Sequence, residues 1–261
     1  MPSERRHIDY GTAVLIVIAN MIGTGVFTTL GLQAQAVPDG AALLLLWFLG
    51  GLIALCGALC YAELAAALPR SGGEYHFLSR IYHPALGLLA GWISVTVGFA
   101  APVALAAMAF GRYAATVLPA QPLWLAVAGL LLVTAAHAVD LQAGRVLQVA
   151  ATLIKVALIL VFCLFGLTAP PATGTLSLIP DERLFDTIFS APFALSLIYV
   201  SYAYSGWNAA AYVVDEVRRP QRTVPRALVQ GTLAVTVLYL LLNVTFLRTV
   251  TFEDLVGTVE V

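Results

Sequence analysis

Seven long segments of this chain are almost free of charged residues, and each is long enough to cross a lipid bilayer. About 20 apolar residues in an α-helix span the hydrocarbon core, which is ~30 Å thick. The uncharged runs are 10–38, 40–62, 85–110, 123–139, 146–167, 192–214 and 227–247, and Lys155 is the one charged residue within them. A backbone in hydrocarbon must satisfy its own hydrogen bonds, which an α-helix does. The sequence therefore predicts an all-α membrane protein, a single transmembrane domain over residues 1–261. Its predicted helices lie near 10–36, 40–68, 85–112, 122–139, 144–168, 188–215 and 224–249.

Composition excludes several classes of protein. Hydrophobic residues make up 61% of the chain and charged residues only 10%, far from the profile of a soluble globular protein. A net charge of -1 gives no basis for binding nucleic acid. The sequence has no Ser-His-Asp set, nucleotide-binding loop or cluster of metal ligands. We therefore expect neither an enzyme nor a cofactor, and a lipid bilayer as the surroundings.

The basic residues predict the orientation. With the N-terminus in the cytoplasm, nine arginines fall inside and three outside, and such an excess is typical of cytoplasmic loops. The inside set is Arg5, Arg6, Arg70, Arg80, Arg145, Arg218, Arg219, Arg222 and Arg226, and the outside set is Arg112, Arg183 and Arg248. This predicts a multi-pass protein of the cell membrane with a cytoplasmic N-terminus. A seven-helix receptor or retinal protein would have the opposite orientation, so the pattern argues against that class.

The first segment contains a weak point for a helix, at Gly23-Thr24-Gly25. Glycine is a poor helix former and threonine is β-branched. A helix broken at membrane depth is tolerated where it lines a cavity, and the amides it exposes can bind an anionic group. We interpret these residues as a candidate substrate site. The alternative is a packing face between two helices, which is the commoner role of paired glycines in membranes.

The sixth segment contains a second weak point, where Ser205, Gly206 and Asn208 lie among aromatic residues. At ~1.5 Å per residue, Thr24 and Ser205 lie about 16 and 20 Å into their helices, near the bilayer midplane. The two segments are five helices apart and run in opposite directions. This arrangement is typical of an inverted repeat with a binding site at the midplane.

Several motifs give the chain a resemblance to a known family. They are GTGVF at 23–27, YAEL at 61–64, PRSGGEY at 69–75, YAYSGWN at 202–208 and DEVRRPQRTVPRA at 215–227. The chain resembles the amino acid–polyamine–organocation (APC) transporters over essentially its whole length, most closely the L-amino-acid transporter branch. The resemblance implies a LeuT-like bundle with a five-plus-five inverted repeat, of which this chain holds the first seven helices, with helices one and six broken.

The resemblance also implies roles for particular residues. The substrate carboxylate falls to the amides of Thr24 and Gly25, with Gly23 permitting its approach. The substrate amino group falls to carbonyls in both breaks. Tyr202 takes the position of a gating aromatic, with Trp207 as a second gating residue; aromatic packing is the alternative for both. The carbonyls assigned to the amino group belong to Met21, Tyr202, Ala203 and Ser205.

Lys155 lies ~14 Å into the fifth helix, too deep for its side chain to reach the interface easily. A lysine at that depth costs at least ~2.5 kcal/mol and usually has an interior partner. The resemblance places it against the helix-one break, where sodium-coupled relatives hold a sodium ion, and implies proton coupling. A purely structural lysine that satisfies exposed carbonyls is the alternative.

The chain is thus predicted to be a secondary transporter of L-amino acids that works by alternating access. Its substrate is a small zwitterion, and its coupling is either to protons or to exchange. Neutral substrates are favoured, because no acidic residue lies in the middle of either broken helix. A carrier of cationic amino acids or polyamines is the alternative within the class. Family members typically have about twelve helices, so a fragment is expected, and a non-transporting membrane subunit or inactive fragment is the alternative outside the class.

Overall fold

The structure is a computed structural model that describes residues 7–139 and 141–258, and helices make up most of it. A π-helical stretch, Ser94–Ala100, joins two of the helices, and two 3-10 turns, Ala209–Tyr212 and Val214–Glu216, follow the sixth membrane segment. The α-helices are α1 Tyr10–Met21, α2 Gly25–Thr28, α3 Leu30–Ala36, α4 Gly40–Ala67, α5 Gly73–Ile81, α6 Pro84–Ile93, α7 Ala101–Ala115, α8 Pro122–Val139, α9 Leu141–Thr168, α10 Leu184–Ile188, α11 Ala191–Ala203, α12 Pro220–Thr249 and α13 Phe252–Leu255.

Five helical segments within the described residues are long and apolar enough to cross a membrane. They are Tyr10–Thr28, Gly40–Ala67, Pro84–Ala115, Val146–Thr168 and Pro220–Thr249. Two further apolar helices, Pro122–Ala136 and Ala191–Ala203, are shorter. The predicted fold class, an all-α membrane bundle in which the first and sixth segments are broken, is confirmed.

The helix boundaries have local causes. The Asp9 carboxylate accepts a hydrogen bond from the Thr12 amide at 2.8 Å and so caps the start of α1. Asp39 does the same for α4 through the amide of Ala42, at 2.9 Å. Such caps satisfy amides that have no partner within a helix. Each caps a helix at the edge of an uncharged run, and so each aspartate marks where a membrane segment begins.

The described residues form two compact units: residues 7–71 with 152–258, and residues 72–139 with 141–151. In the first unit, α4 and α12 pack closely because glycines let their backbones approach. A Cβ atom on Gly51 would lie 2.4 Å from Cγ2 of Thr236. Gly231 of α12 likewise lies against Val17 of α1, where an added Cβ would be 2.7 Å from the valine Cβ. The first unit therefore has a close-packed core around α1, α4 and α12.

The second unit is built on a long hairpin. The helix from Pro84 to Ala115 passes through the π-helical stretch just before Pro102, whose ring nitrogen cannot donate to a preceding carbonyl. At its end, Gly111 lies so near the start of α8 that an added Cβ would be 2.2 Å from the Pro122 carbonyl oxygen. Large apolar side chains on this hairpin point outward, as with Trp92, which is 70% exposed. An apolar exterior of this kind suits a lipid-facing surface.

One end of the first unit is held by a set of contacts that we call the clasp, made by Ile8, Ser71, Asp215 and Val217. Ile8 and Val217 form an isolated parallel bridge, in which the Arg218 amide donates to the Ile8 carbonyl at 2.9 Å. The Asp215 amide donates to Ser71 Oγ at 2.9 Å, and the Ser71 amide donates to Asp215 Oδ2 at 3.1 Å. The clasp therefore ties together the start of α1, the residues after α4 and the segment before α12.

Candidate functional site at two helix breaks

The first break lies between Met21, where α1 ends, and Gly25, where α2 begins. The Gly23 amide turns back to the Met21 carbonyl at 2.9 Å, and the Phe27 amide makes the next bond, to the Thr24 carbonyl, at 3.0 Å. Within the described part of the chain, the amides of Thr24, Gly25 and Val26 therefore donate no hydrogen bond. Three such donors at the start of a helical segment suit an anionic group.

The two glycines of this break have different surroundings. A Cβ on Gly25 would lie 3.1 Å from both Cα and Cβ of Ala203, which is tighter than ordinary contact. An added Cβ on Gly23 would meet nothing within 4 Å. Gly25 therefore allows the first break to touch the end of α11, whereas Gly23 borders open space.

The second break begins after Ala203, where the Ser205 amide donates to the Tyr202 carbonyl at 3.0 Å. Gly206 has a φ of 99°, a backbone conformation that residues with a side chain rarely adopt. An added Cβ at Gly206 would lie 2.6 Å from the Asn20 carbonyl oxygen. The sequence predicted a sixth helix that continues to residue 215 beyond its break. The structure has only 3-10 turns there, because the left-handed conformation of Gly206 turns the chain out of the helix.

Lys155 reaches the first break from α9. Its Nζ atom donates to the Ile22 carbonyl oxygen at 2.6 Å, and its side chain is half-buried. Ile22 is the C-terminal cap of α1, where unpaired carbonyls give the helix end a partial negative charge. The ammonium thus satisfies a carbonyl that the break leaves without a helical partner.

Tyr239 of α12 connects the two breaks, although it lies in none of the sequence motifs. Its hydroxyl donates to the Met21 carbonyl at 2.7 Å and lies 3.3 Å from the Ala203 carbonyl. The side chain is completely buried. A tyrosine in an apolar membrane segment gives no sequence signal that separates this role from ordinary packing.

Tyr239 belongs to an aromatic cluster with Trp47 of α4 and Tyr204 of the second break. The ring centroids of Tyr239 lie 5.5 Å from Trp47, edge-on, and 5.0 Å from Tyr204. The Tyr204 hydroxyl donates to the Trp47 carbonyl at 3.1 Å, and the Trp47 indole donates to Oε1 of Gln33 at 2.9 Å. The cluster therefore holds α3, α4, α12 and the second break around the junction of the two breaks.

The remaining predicted residues lie around this junction in different settings. Tyr202 is 48% exposed, Ser205 is exposed and Thr24 is half-buried. Trp207 packs on α4: an added Cβ on Gly57 would be 2.6 Å from its ring, and the Tyr61 ring lies edge-on at 4.9 Å. The structure thus gathers Met21, Gly25, Ala203 and Lys155 at the junction, while the Trp207 side chain lies against α4.

Comparison with known proteins agrees with this architecture. Residues 8–260 match the amino acid permease family. The chain is 28% identical over 262 residues to the b(0,+)-type amino acid transporter 1 of Mus musculus, covering 97% of this chain and 53% of that protein. It is 30% identical over 274 residues to the large neutral amino acids transporter small subunit 2 of Oryctolagus cuniculus, covering 97% and 49%.

The chain therefore spans about half the length of the curated relatives it matches. The resemblance to the APC transporters, seen first in the motifs, is confirmed by the family match, which covers both breaks and the clasp. The family consists of membrane permeases, so the prediction that the chain is not an enzyme is confirmed as well. The chain belongs to the amino acid permease family.

Proposed function

We propose that this protein is a secondary active transporter of L-amino acids, with neutral substrates, that works by alternating access in the cell membrane. The observation that carries the proposal is the meeting of two interrupted membrane helices. Gly25 of the first break touches Ala203 of the second, with an added Cβ only 3.1 Å from the Ala203 backbone. Interrupted helices at membrane depth are tolerated where they line a site for a polar solute.

The chemistry of the junction suits a zwitterion. The Thr24 and Gly25 amides bind the substrate carboxylate, and Gly23, which borders open space, leaves room for its approach. The substrate ammonium group needs hydrogen-bond acceptors instead, and it binds to carbonyl oxygens in the two breaks. Helix ends supply both kinds of partner without a fixed charge in the membrane. The carbonyls in question belong to Met21, Tyr202, Ala203 and Ser205.

One observation favours neutral substrates over cationic amino acids or polyamines. Neither broken helix carries an acidic residue in its middle that could receive a second positive charge. Competition by arginine or putrescine against leucine uptake tests this choice, and strong competition by either compound would favour the cationic alternative.

Lys155 is the proposed coupling residue. Its ammonium already binds the carbonyl at the end of α1, at 2.6 Å. Loss or gain of a proton by Lys155 changes its hydrogen bond to the first break. Protonation of Lys155 is thereby linked to the conformation of the substrate site. Uptake measured with and without an imposed proton gradient separates proton symport from exchange, because exchange responds to amino acid inside the vesicle and not to the gradient.

Tyr202 and Trp207 are the proposed gating residues, and their surroundings favour different roles in gating. Tyr202 is 48% exposed, so much of it lies outside the packed core. Trp207 is held on α4 by the edge-on contact with Tyr61. Tyr202 is therefore the better candidate for a moving gate, and Trp207 for its anchor.

The proposed orientation has a cytoplasmic N-terminus, and the clasp supports it by bringing together segments that the arginine count places on one side. The test uses single cysteines in a background without Cys56, Cys60 and Cys163. A cysteine at Arg222 should react with an impermeant thiol reagent only from the cytoplasm, and one at Asp181 only from outside. The reverse labelling would overturn the orientation.

Substitution of a glycine in the first break tests the proposal as a whole. The complete gene product is reconstituted in proteoliposomes, and uptake of radiolabelled L-leucine is measured. Gly25→Leu should abolish uptake, because its side chain occupies the junction. Gly98→Leu is the matched control and should retain most of the uptake, because Gly98 is exposed outside both breaks and a Cβ there meets only Cβ of Ser94, at 4.0 Å. Equal uptake by both variants would show that Gly25 belongs only to a packing face. Absence of uptake by the wild type would leave a non-transporting membrane subunit as the better function.

A further inference from the structure

A groove with a volume of about 500 Å³ lies between the end of α4 and the start of α12, in the first unit. Within the described part of the chain it opens on the protein surface, since Leu59 in its wall is 50% exposed. Much of its lining is apolar and small, which keeps the two helices from filling the space. These apolar residues are Leu59, Ala62 and Ala66 on α4, and Pro225 and Val229 on α12.

One end of the groove carries a cluster of arginines. Arg226 lines the groove, and Arg219 and Arg222 line an adjoining cavity of about 530 Å³ that shares Gln221 with it. All three arginines are exposed, and within the described residues none of them makes an ion pair. Glu63 also lines the groove. The three guanidinium groups outnumber this one carboxylate, so this end of the groove attracts anions.

The arginines lie at the depth of lipid headgroups. With 30 residues, α12 is ~45 Å long, close to the thickness of a bilayer together with its headgroups. Since the hydrocarbon core is only ~30 Å thick, about the first five residues of α12 lie in the headgroup layer. Arg222 is therefore among the headgroups, Arg226 is at the boundary of the core, and Val229 lies inside it.

This order of charged and apolar walls matches one kind of occupant. A soluble phosphate compound would need only the arginines, and an uncharged apolar molecule would need only the apolar wall. A phospholipid presents a phosphate at the headgroup layer and an acyl chain below it. The groove offers a partner for each part at the matching depth.

We propose that the groove is a binding site for an anionic phospholipid of the cytoplasmic leaflet. The guanidinium groups of Arg222 and Arg226 bind the phosphate, for which their planar donors are well suited. One acyl chain lies along Ala62 and Ala66. Anionic lipids are enriched in the cytoplasmic leaflet, the side to which the proposed orientation assigns the start of α12. The bound lipid bridges α4 and α12, and this role goes beyond the proposed transport and does not depend on it.

The test measures lipid binding to the complete gene product in detergent by native mass spectrometry. The probes are dioleoyl phosphatidylglycerol, which is anionic, and dioleoyl phosphatidylcholine, which has the same acyl chains and no net charge. Arg226→Gln removes a charge from the groove. Arg80→Gln is the matched control, because Arg80 is exposed, lines neither cavity and is predicted to lie on the same side of the membrane.

The wild type should prefer phosphatidylglycerol, and Arg226→Gln should weaken its binding about fivefold, the contribution of one arginine near an anionic lipid surface. Binding of phosphatidylcholine should not change, and Arg80→Gln should alter neither lipid. Equal binding of the two lipids by the wild type, or equal losses in the two variants, would overturn the inference. Tighter binding of dioleoyl phosphatidylethanolamine than of phosphatidylglycerol would also contradict it, because Glu63 would then select a lipid ammonium group.

A second pair of variants tests the apolar wall. Ala66→Leu narrows the groove and should weaken both lipids equally, whereas Ala67→Leu, at an exposed position that does not line the groove, should weaken neither. Glycerol 3-phosphate, which has no acyl chain, should not displace phosphatidylglycerol at equal concentration. Displacement by it, or an unchanged affinity in Ala66→Leu, would show that no acyl chain occupies the groove.

Thermal unfolding in detergent provides an independent readout. A lipid that binds only the folded protein raises the unfolding midpoint. Phosphatidylglycerol should therefore stabilise the wild type and Arg80→Gln more than it stabilises Arg226→Gln. Arg226→Lys, which keeps the charge, should be stabilised more than Arg226→Gln. The same shift in all four proteins would show that the lipid acts without the groove.

Discussion

The two helix breaks meet at one junction, but different interactions stabilise the non-helical backbone of each. The first is short, from Met21 to Gly25, and polar groups from other helices bind its carbonyls: Lys155 at 2.6 Å and Tyr239 at 2.7 Å. The second runs from Ala203 through 3-10 turns to α12 and depends on a left-handed glycine and on aromatic packing. A helix break can therefore be stabilised either by hydrogen bonds to its exposed carbonyls or by the conformation of its own backbone.

The second break should therefore be the more sensitive to a change in backbone conformation. Gly206→Ala combines strain at a φ of 99° with a Cβ 2.6 Å from the Asn20 carbonyl oxygen. We expect a loss of about 3–4 kcal/mol in stability, of which roughly 1–2 kcal/mol is backbone strain. The measurement is the midpoint of thermal unfolding in detergent.

A matched control separates the two contributions at Gly206. Gly174 also has a positive φ, 79°, but an added Cβ there would meet nothing within 4 Å. Gly174→Ala should lose only the strain, about 1–2 kcal/mol. Equal losses for the two alanine variants would show that the contact between Gly206 and the first broken helix does not matter.

The first break should be the more sensitive to the loss of a charge. Lys155→Ala leaves the Ile22 carbonyl without its donor, at a cost of roughly 1.5–3 kcal/mol for a hydrogen bond to a charged group. We expect the variant to insert normally, to bind leucine more weakly and to lose the pH dependence of uptake. The measurement is leucine uptake across a pH series. A variant that keeps the wild-type pH profile would show that Lys155 is not the group that couples uptake to protons.

The breaks themselves could be predicted from the sequence, because each depends on local residues. Gly23 and Gly25 weaken one helix, and Ser205, Gly206 and Asn208 end the other. Contacts between distant segments could not be predicted in the same way. Tyr239 is one aromatic residue in a long apolar helix, and only the packing of α12 on α1 brings its hydroxyl to Met21.

The clasp was missed for a related reason. The bridge between Ile8 and Val217 involves one residue on each side, and a single residue pair produces no alternating pattern of the kind that predicts a strand. Asp215 and Ser71 lie in the motifs at 215–227 and 69–75, but their separation of 144 residues in the sequence gives no sign that they are in contact. The positions of the helix breaks could therefore be predicted from the sequence. The side chains that bind to the breaks are brought there by tertiary packing and could not be predicted in this way.

Aromatic packing at the second break should have a moderate effect. Tyr61→Leu removes the edge-on ring pair with Trp207, and such pairs contribute about 0.5–1.5 kcal/mol beyond the area they bury. Tyr61→Phe keeps the ring and is the control, so only the leucine variant should lower the unfolding midpoint through this contact. If the leucine substitution has the same effect in a Trp207→Leu background, the two rings do not stabilise each other.

The hydrogen bonds between Ser71 and Asp215 in the clasp should contribute least to stability, because they are exposed and water can replace them. Ser71→Ala removes the oxygen that accepts from the Asp215 amide at 2.9 Å, and we expect a loss of about 0.5 kcal/mol. Its effect should be local and visible by hydrogen exchange as faster exchange in the peptide that contains Asp215 and Val217. Ser201→Ala is the control, since among the described residues its hydroxyl bonds within α11, to the Leu197 carbonyl. If Ser71→Ala also speeds exchange between Tyr204 and Asn208, then the second break depends on contacts with the end of α4, in addition to its own backbone conformation and aromatic packing. Unchanged exchange at the break would mean that its glycine and aromatic contacts hold it independently of the clasp.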